Sequence, residues 1–191
     1  MSEPSYVTRA GEKLAFALDH FGIDPTGLTV ADLGSHQGGF VDCLLQRGTA
    51  RVYSVDTCYG TLAWKLRNEE RVVVMERQNA LHVDLPEPVD GVTIDVGWTR
   101  QEKILPAAER LLAPGRGWIL SLLKPQYEAE KSEVHKGVVR EEACDAIVER
   151  VVAWVREREM PLRGWVRSPL RGGKGNPEMF LYLAREASPG R

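Results

Sequence analysis

The chain has 191 residues, 43% hydrophobic and 27% charged, with a formal net charge of −2; this fits one globular domain with a sizeable core and excludes global disorder. No apolar run approaches the roughly 18–20 residues that span a membrane, and the opening MSEPSYVTRAGEK lacks the apolar stretch of a secretory leader, so a cytoplasmic location and no membrane partner are expected. Three cysteines (Cys43, Cys58, Cys144) and four histidines (His20, His36, His82, His135) lie scattered without CxxC or metal-ligand spacing, which argues against a disulfide framework and against a structural zinc.

Residues 1–26 form a helical preface, with Ala10, Leu14, Ala17, Leu18 and Phe21 at helical spacing. A first apolar strand is predicted over 28–33, then a helix over 40–46 and a strand over 51–55. A helix over 62–67 leads to a short β-branched strand over 72–75. Two further apolar strands, 91–96 and 118–123, flank a helix over 101–112. A long helix over 141–158 carries Ala143, Ile147, Val151, Trp154 and Val155 on one face. Strand-like runs at 164–167 and 179–183 follow each other without a full helix between them, which places an antiparallel strand near the end of the sheet. The pattern predicts one α/β domain over 1–191: a doubly wound, mostly parallel seven-stranded sheet, with a tail over 186–191 expected to fray.

The stretch VADLGSHQGGFVDCLLQRG reads as strand, glycine turn and amphipathic helix. In a doubly wound sheet, ligands sit beyond the carboxyl ends of the strands at the switch point. Asp32 ends the first strand there, followed by Gly34, Ser35, Gly38, Gly39 and Phe40; Asp56 ends the second strand, where a carboxylate can accept hydrogen bonds from ribose hydroxyls. The glycine spacing is wrong for a dinucleotide fingerprint. An acidic residue at the turn suits a ligand with a cationic centre and an ammonium group, and S-adenosylmethionine is such a ligand. The plainer reading is a glycine turn that merely packs helix on strand.

Two ionisable residues close apolar strands on the same side: Asp95 after GVTI, and Lys124 after WILSLL, with Pro125 stopping the strand. A lysine closing a buried strand is unusual, because most lysines are solvated. An alcohol attacking a methyl group needs a base, and a lysine serves as one only when neutral, a form favoured by desolvation or a neighbouring cation. Lys13 in RAGEKL and Glu178 in GKGNPEMF are weaker candidates by themselves, readable as a surface charge and part of a plain loop.

Taken in order, YVTRAGEKLAFAL, GGFVDCLLQRGTARVYSVD, LAWKLRNEERV, LLKPQYEAEK, HKGVVRE and SPLRGGKGNPEMFL resemble segments of the hemolysin-A-type (TlyA-like) ribosomal RNA methyltransferases, within the FtsJ-like superfamily. The resemblance runs from about residue 6 to residue 183. It implies a Rossmann-like class I methyltransferase fold and S-adenosylmethionine-dependent 2′-O-methylation of RNA ribose. It also implies a Lys-Asp-Lys-Glu tetrad on Lys13, Asp95, Lys124 and Glu178. Lys124 would be the base, Lys13 a second cation that helps position substrate, and the two carboxylates would orient the lysines and the ribose. The cofactor would contact Asp32, Gly34, Ser35, Gly38, Gly39, Phe40, Asp56 and Asn79, the last near the adenine. Family members carry an N-terminal S4 RNA-binding domain, whereas this sequence begins at the preface helix.

Basic residues bunch locally, and Arg9, Lys136, Arg140, Arg171 and Lys174 come from segments that would frame the tetrad as an RNA-binding rim. Two alternatives stay open: a methyltransferase of the same fold acting on a small molecule, and a non-catalytic protein that binds cofactor or RNA. A basic track leading to Lys124 would favour RNA, whereas an enclosed apolar pocket would favour a small molecule.

Overall fold

A computed structural model describes residues 5–185. Helix α1 (Ala10–Phe21) precedes β1 (Thr29–Leu33), α2 (Gly39–Gln46), β2 (Arg51–Asp56), α3 (Trp64–Arg67) and β3 (Val72–Glu76). Then come β4 (Gly91–Ile94), α4 (Gln101–Leu111), β5 (Gly117–Leu123) and a single turn of helix, α5 (Pro125–Glu128). A 3₁₀ turn leads into a small hairpin, β6 (Val134–His135) and β7 (Val138–Val139), followed by α6 (Glu141–Glu157), β8 (Leu162–Arg167) and β9 (Met179–Arg185). The tail over 186–191 lies outside the described residues.

The main sheet has seven strands in the order β3-β2-β1-β4-β5-β9-β8. All neighbours from β3 to β5 pair in parallel, and β9 runs antiparallel to both β5 and β8. The antiparallel strand is therefore the penultimate one, inserted between β5 and the edge strand β8. The chain winds from β1 outward to β3, then restarts at β4 on the other side of β1, so the switch point lies between β1 and β4.

Period-2 alternation feeds both faces of the sheet. On β5, Trp118, Leu120 and Leu122 pack with Leu14, Leu18, Phe40, Leu44 and Phe180 beneath α1 and α2. Ile119 and Leu123 face Ile104, Leu105, Ile147, Val148 and Val155 beneath α4 and α6. Strands covered on both faces read as continuous apolar runs, as WILSLL and FLYL do. Among the described residues, no helix is long and apolar enough to cross a membrane.

Two expected elements differ in extent for reasons visible in their contacts, and two elements were not expected. The strand predicted over 91–96 ends at Ile94, and the Val96 carbonyl is taken by Lys124 Nζ instead of a ladder partner. The helix predicted over 62–67 begins at Trp64, because Ala63 is extended and donates its N–H to the Gln37 carbonyl. The hairpin over 134–139 and the turn α5 have no counterpart in the periodicity of the sequence.

Candidate active site

A cavity of about 490 Å³ opens beyond the carboxyl ends of the parallel strands, at the switch point. Its wall includes Asp32, Gly34, Ser35, Gly39, Phe40, Asp56, Asn79, Asp95 and Lys124. Gly34 has φ +87°, and a Cβ there would lie 2.7 Å from the Asp95 carbonyl oxygen, so only glycine lets the β1 turn pass so close to the end of β4. Gly38 precedes α2 at φ +93°, and a Cβ on it would strike the methyl groups of Leu66 and Leu62, so glycine there lets the turn pack closely against α3.

Two carboxylates give the cavity its charge. Asp32 has no solvent exposure; its Oδ1 accepts from the Thr93 hydroxyl at 2.7 Å, while Oδ2 has no hydrogen-bond partner among the described residues. Burial pushes its carboxyl up to about 7, against the lowering effect of the Thr93 hydrogen bond. Asp56 accepts the backbone N–H of His36 (2.8 Å) on Oδ2 and of Cys58 (2.7 Å) on Oδ1. It thereby ties the β1 turn to the loop after β2, and each oxygen keeps a lone pair for a ligand hydroxyl. His36 sits at φ +47° with its side chain exposed at the cavity.

The four ionisable residues expected to act together form two ion pairs. Lys124 Nζ lies 2.5 Å from Asp95 Oδ1 and donates to the Val96 carbonyl at 3.1 Å. Both partners line the cavity. Lys13, on α1, lies 2.5 Å from Glu178 Oε2, and both side chains are more than nine-tenths buried. The ladder joins the pairs: Leu123 of β5 stands opposite Met179 of β9, so Lys124 and Glu178 leave neighbouring strands at the same sheet end. A buried pair of this kind is weak evidence for stability, because desolvation offsets much of the attraction.

The expected rim divides. Arg9, Lys136, Arg140 and Lys174 have no carboxylate partner among the described residues. Arg171 differs: it donates to Glu141 Oε2 (2.9 Å) and the Gly175 carbonyl (3.1 Å), fastening its loop to the start of α6. Glu141 also holds Arg167 at 2.5 Å, so the arginines around the first turn of α6 are largely compensated.

The wall extends beyond the residues expected to bind cofactor. Thr8, Thr57, Cys58, Gln78 and the segment from Val96 to Thr99 all contribute. Trp98 stands out: φ is +62°, its side chain is 87% exposed, and its ring tilts against Tyr127 at 5.0 Å. Gln78 could have been found as the neighbour of Asn79 beyond β3; Trp98 carries no periodicity signal.

A doubly wound sheet with this strand order, an acidic glycine-turn cavity at its switch point and a lysine–carboxylate pair on the cavity wall form the kind of site in which α/β proteins hold nucleoside-type ligands. Residues 6–185 match the FtsJ-like methyltransferases, and the chain belongs to that family. YqxC of Bacillus subtilis is 40% identical over 184 residues, covering 93% of this chain and 65% of YqxC. A Mycobacterium tuberculosis protein named 16S/23S rRNA (cytidine-2′-O)-methyltransferase TlyA is 40% identical over 192 aligned residues, 95% of this chain and 69% of TlyA. A solved structure carrying a hemolysin name, from Streptococcus thermophilus, superimposes with a TM-score of 0.90 at 34% identity, covering 98% of this chain and 70% of that one. The chain thus spans about two thirds of the length of these relatives.

Proposed function

We propose that this chain is an S-adenosylmethionine-dependent methyltransferase that acts on the ribose 2′-hydroxyl of RNA, with ribosomal RNA as the substrate class and the cytoplasm as its location. The observation that carries the reading is the Lys124–Asp95 pair on the wall of the cavity that also holds Asp32 and Asp56. The relatives named for rRNA 2′-O-methylation support it.

The cavity fits the cofactor in size and chemistry. Its volume falls within the roughly 300–1,000 Å³ of small-ligand sites. The unpartnered Asp32 Oδ2 is an acceptor in search of a donor, and the cofactor's ammonium group supplies one. Asp56 would take the ribose hydroxyls, Asn79 and Gln78 would border the adenine, and Gly34, Ser35, Gly39 and Phe40 would form the floor. When bound, the cofactor supplies an electrophilic methyl group on a sulfonium centre.

Lys124 is placed to receive the proton of the attacking hydroxyl. Nζ donates one N–H to the Val96 carbonyl and lies against Asp95 Oδ1 as an ion pair. In its neutral form the amine would offer a lone pair to the substrate hydroxyl. Asp95 would offset the charge that forms on Lys124 as the proton arrives. Lys13 and Glu178, one strand away, hold α1 against the sheet end and add a fixed dipole beside the ribose. Unpaired Arg9, Lys136, Arg140 and Lys174 would hold flanking phosphates.

The test is methyl transfer to RNA by two variants. Lys124→Ala should lose transfer by at least ~10²-fold while cofactor affinity stays near wild type, since a base acts in the transition state. Lys124→Arg should fail as well, because a guanidinium keeps its proton. Full activity in either variant would remove Lys124 from the mechanism.

A further inference from the structure

Besides the packing of Val139 and Val134 on the core, one buried polar side chain ties the β6–β7 hairpin to the sheet end that carries Glu178. Asn176, 2% exposed, accepts the Val139 N–H on Oδ1 and donates through Nδ2 to the Gly137 carbonyl, both at 2.9 Å. Its own backbone carbonyl accepts the Gly172 N–H at 2.9 Å, closing the turn that carries Lys174. Glu178 lies two residues further on, and a Cβ on Gly172 would come within 2.5 Å of Glu178 Oε1. One amide therefore braces the hairpin, the glycine loop and the Glu178 segment as one unit.

The hairpin turn is itself unusual. Lys136 and Gly137 occupy its two central positions at φ +51° and +81°. Such a turn favours Asn, Asp or Gly at its first position, and a lysine there is conformationally disfavoured. The Lys174 side chain lies over the second position: its Nζ is 2.9 Å from where a Gly137 Cβ would stand. A larger residue at 137 would displace that cation. Neither Lys136 nor Lys174 has a carboxylate partner among the described residues. The turn thus carries one lysine without a carboxylate partner and packs against the ammonium group of another, and neither charge is offset by a neighbouring carboxylate.

We propose that the Lys136–Gly137 turn and Lys174 form a phosphodiester clamp for the RNA strand flanking the target ribose, with Asn176 as the positioning residue that fixes the clamp relative to Glu178. This rests on the RNA reading above and goes beyond it by giving one backbone phosphate a defined place. Because Asn176 hydrogen-bonds the hairpin and lies two residues before Glu178, phosphate held at the turn would set the distance from the flanking nucleotide to the Lys13–Glu178 and Lys124–Asp95 pairs. A free nucleoside, lacking that phosphate, gains nothing from the clamp.

The test measures RNA affinity against salt concentration for the full chain, using a ribosomal RNA fragment that wild type methylates. Lys136→Gly and Lys174→Gln, singly and together, are compared with wild type. The two changes together should make the slope of log K against log[salt] shallower by ~0.7–0.9, the value for one fewer phosphate neutralised, and each single change should account for part of that loss. Lys136→Gly should melt no lower than wild type, since glycine accepts the turn conformation freely, and cofactor affinity should not change. Asn176→Asp keeps the acceptor for Val139 but loses the donor to Gly137. It should reduce transfer to RNA through kcat as well as KM, whereas the two lysine variants act mainly on KM. Unchanged slopes in both lysine variants, with wild type methylating the RNA, would overturn the clamp and leave the function standing. A wild-type protein that neither binds nor methylates RNA would overturn both.

Discussion

Replacing Asp32 with Asn should move stability and cofactor binding in opposite directions. The carboxyl is fully buried, with one oxygen on Thr93 and the other without a partner. Burial raises it from 3.8 to about 7. A carboxyl raised in the folded state binds more protons there than in the unfolded chain between pH ~4 and ~7, so stability falls as pH rises through that window. About three pH units at 1.36 kcal/mol each give an upper bound of about 4 kcal/mol at pH 8. Asn is nearly isosteric, stays neutral and keeps the acceptor for Thr93. The ligand-free variant should therefore be the more stable protein at pH 8, by several degrees at ~2–4 °C per kcal/mol, with the gap closing towards pH 5. Glu128, also pushed up to about 7 by burial, contributes with the same sign to both proteins and cancels in the comparison. S-adenosylmethionine should stabilise the variant less, by the ~1.5–3 kcal/mol of a charge-assisted hydrogen bond, which is ~10–150-fold in affinity. Thermal melts from pH 5 to 8.5, with and without cofactor, read both effects. Parallel pH profiles for the two proteins would refute the burial argument, and an unchanged cofactor shift would refute Asp32 as the partner of the ammonium group.

Three further outcomes are expected. Glu178→Gln leaves the buried Lys13 without its counter-charge and should cost ~3–5 kcal/mol in denaturant unfolding; the double change Lys13→Met with Glu178→Leu should recover much of that stability without recovering transfer. Gly34→Ala meets both a positive φ and the Asp95 carbonyl at 2.7 Å; it should lose more than ~2 kcal/mol and weaken cofactor binding, both read from ligand-dependent melting. Asp56→Ala removes the acceptor of two backbone N–H groups in the cavity wall, and calorimetry should show cofactor affinity reduced by at least ~10-fold with little change in Lys124-dependent chemistry once cofactor saturates.

The parallel core was legible because strands buried on both faces read as unbroken apolar runs, and WILSLL, VTI and VADL have no other use. Asp56, Asp95 and Lys124 could be placed because each closes such a run, and Asp32 because it stands one residue before the end of β1 at Leu33; the strand end decides which way they face. Pairing was less accessible. Nothing local to Lys13 in α1 shows that it reaches Glu178, 165 residues away, since that contact depends on β9 inserting between β5 and β8. The β6–β7 hairpin was missed because His-Lys-Gly-Val carries a lysine where turn chemistry wants Asn or Gly. The glycine turn likewise does not say in sequence that Gly38 also admits Leu62 and Leu66. Arg171 counted as a free cation in the sequence because Glu141, its partner, lies 30 residues earlier.

The central claim is that the methyl group goes to a ribose oxygen of RNA. The direct measurement is transfer of labelled methyl from S-adenosylmethionine to ribosomal RNA lacking the modification, followed by alkaline hydrolysis and mapping. A 2′-O-methyl group removes the internal nucleophile of strand cleavage, so the account predicts label in an alkali-resistant dinucleotide, absent with Lys124→Ala. Label on a base, in fully cleaved mononucleotides, or only on small molecules would contradict it.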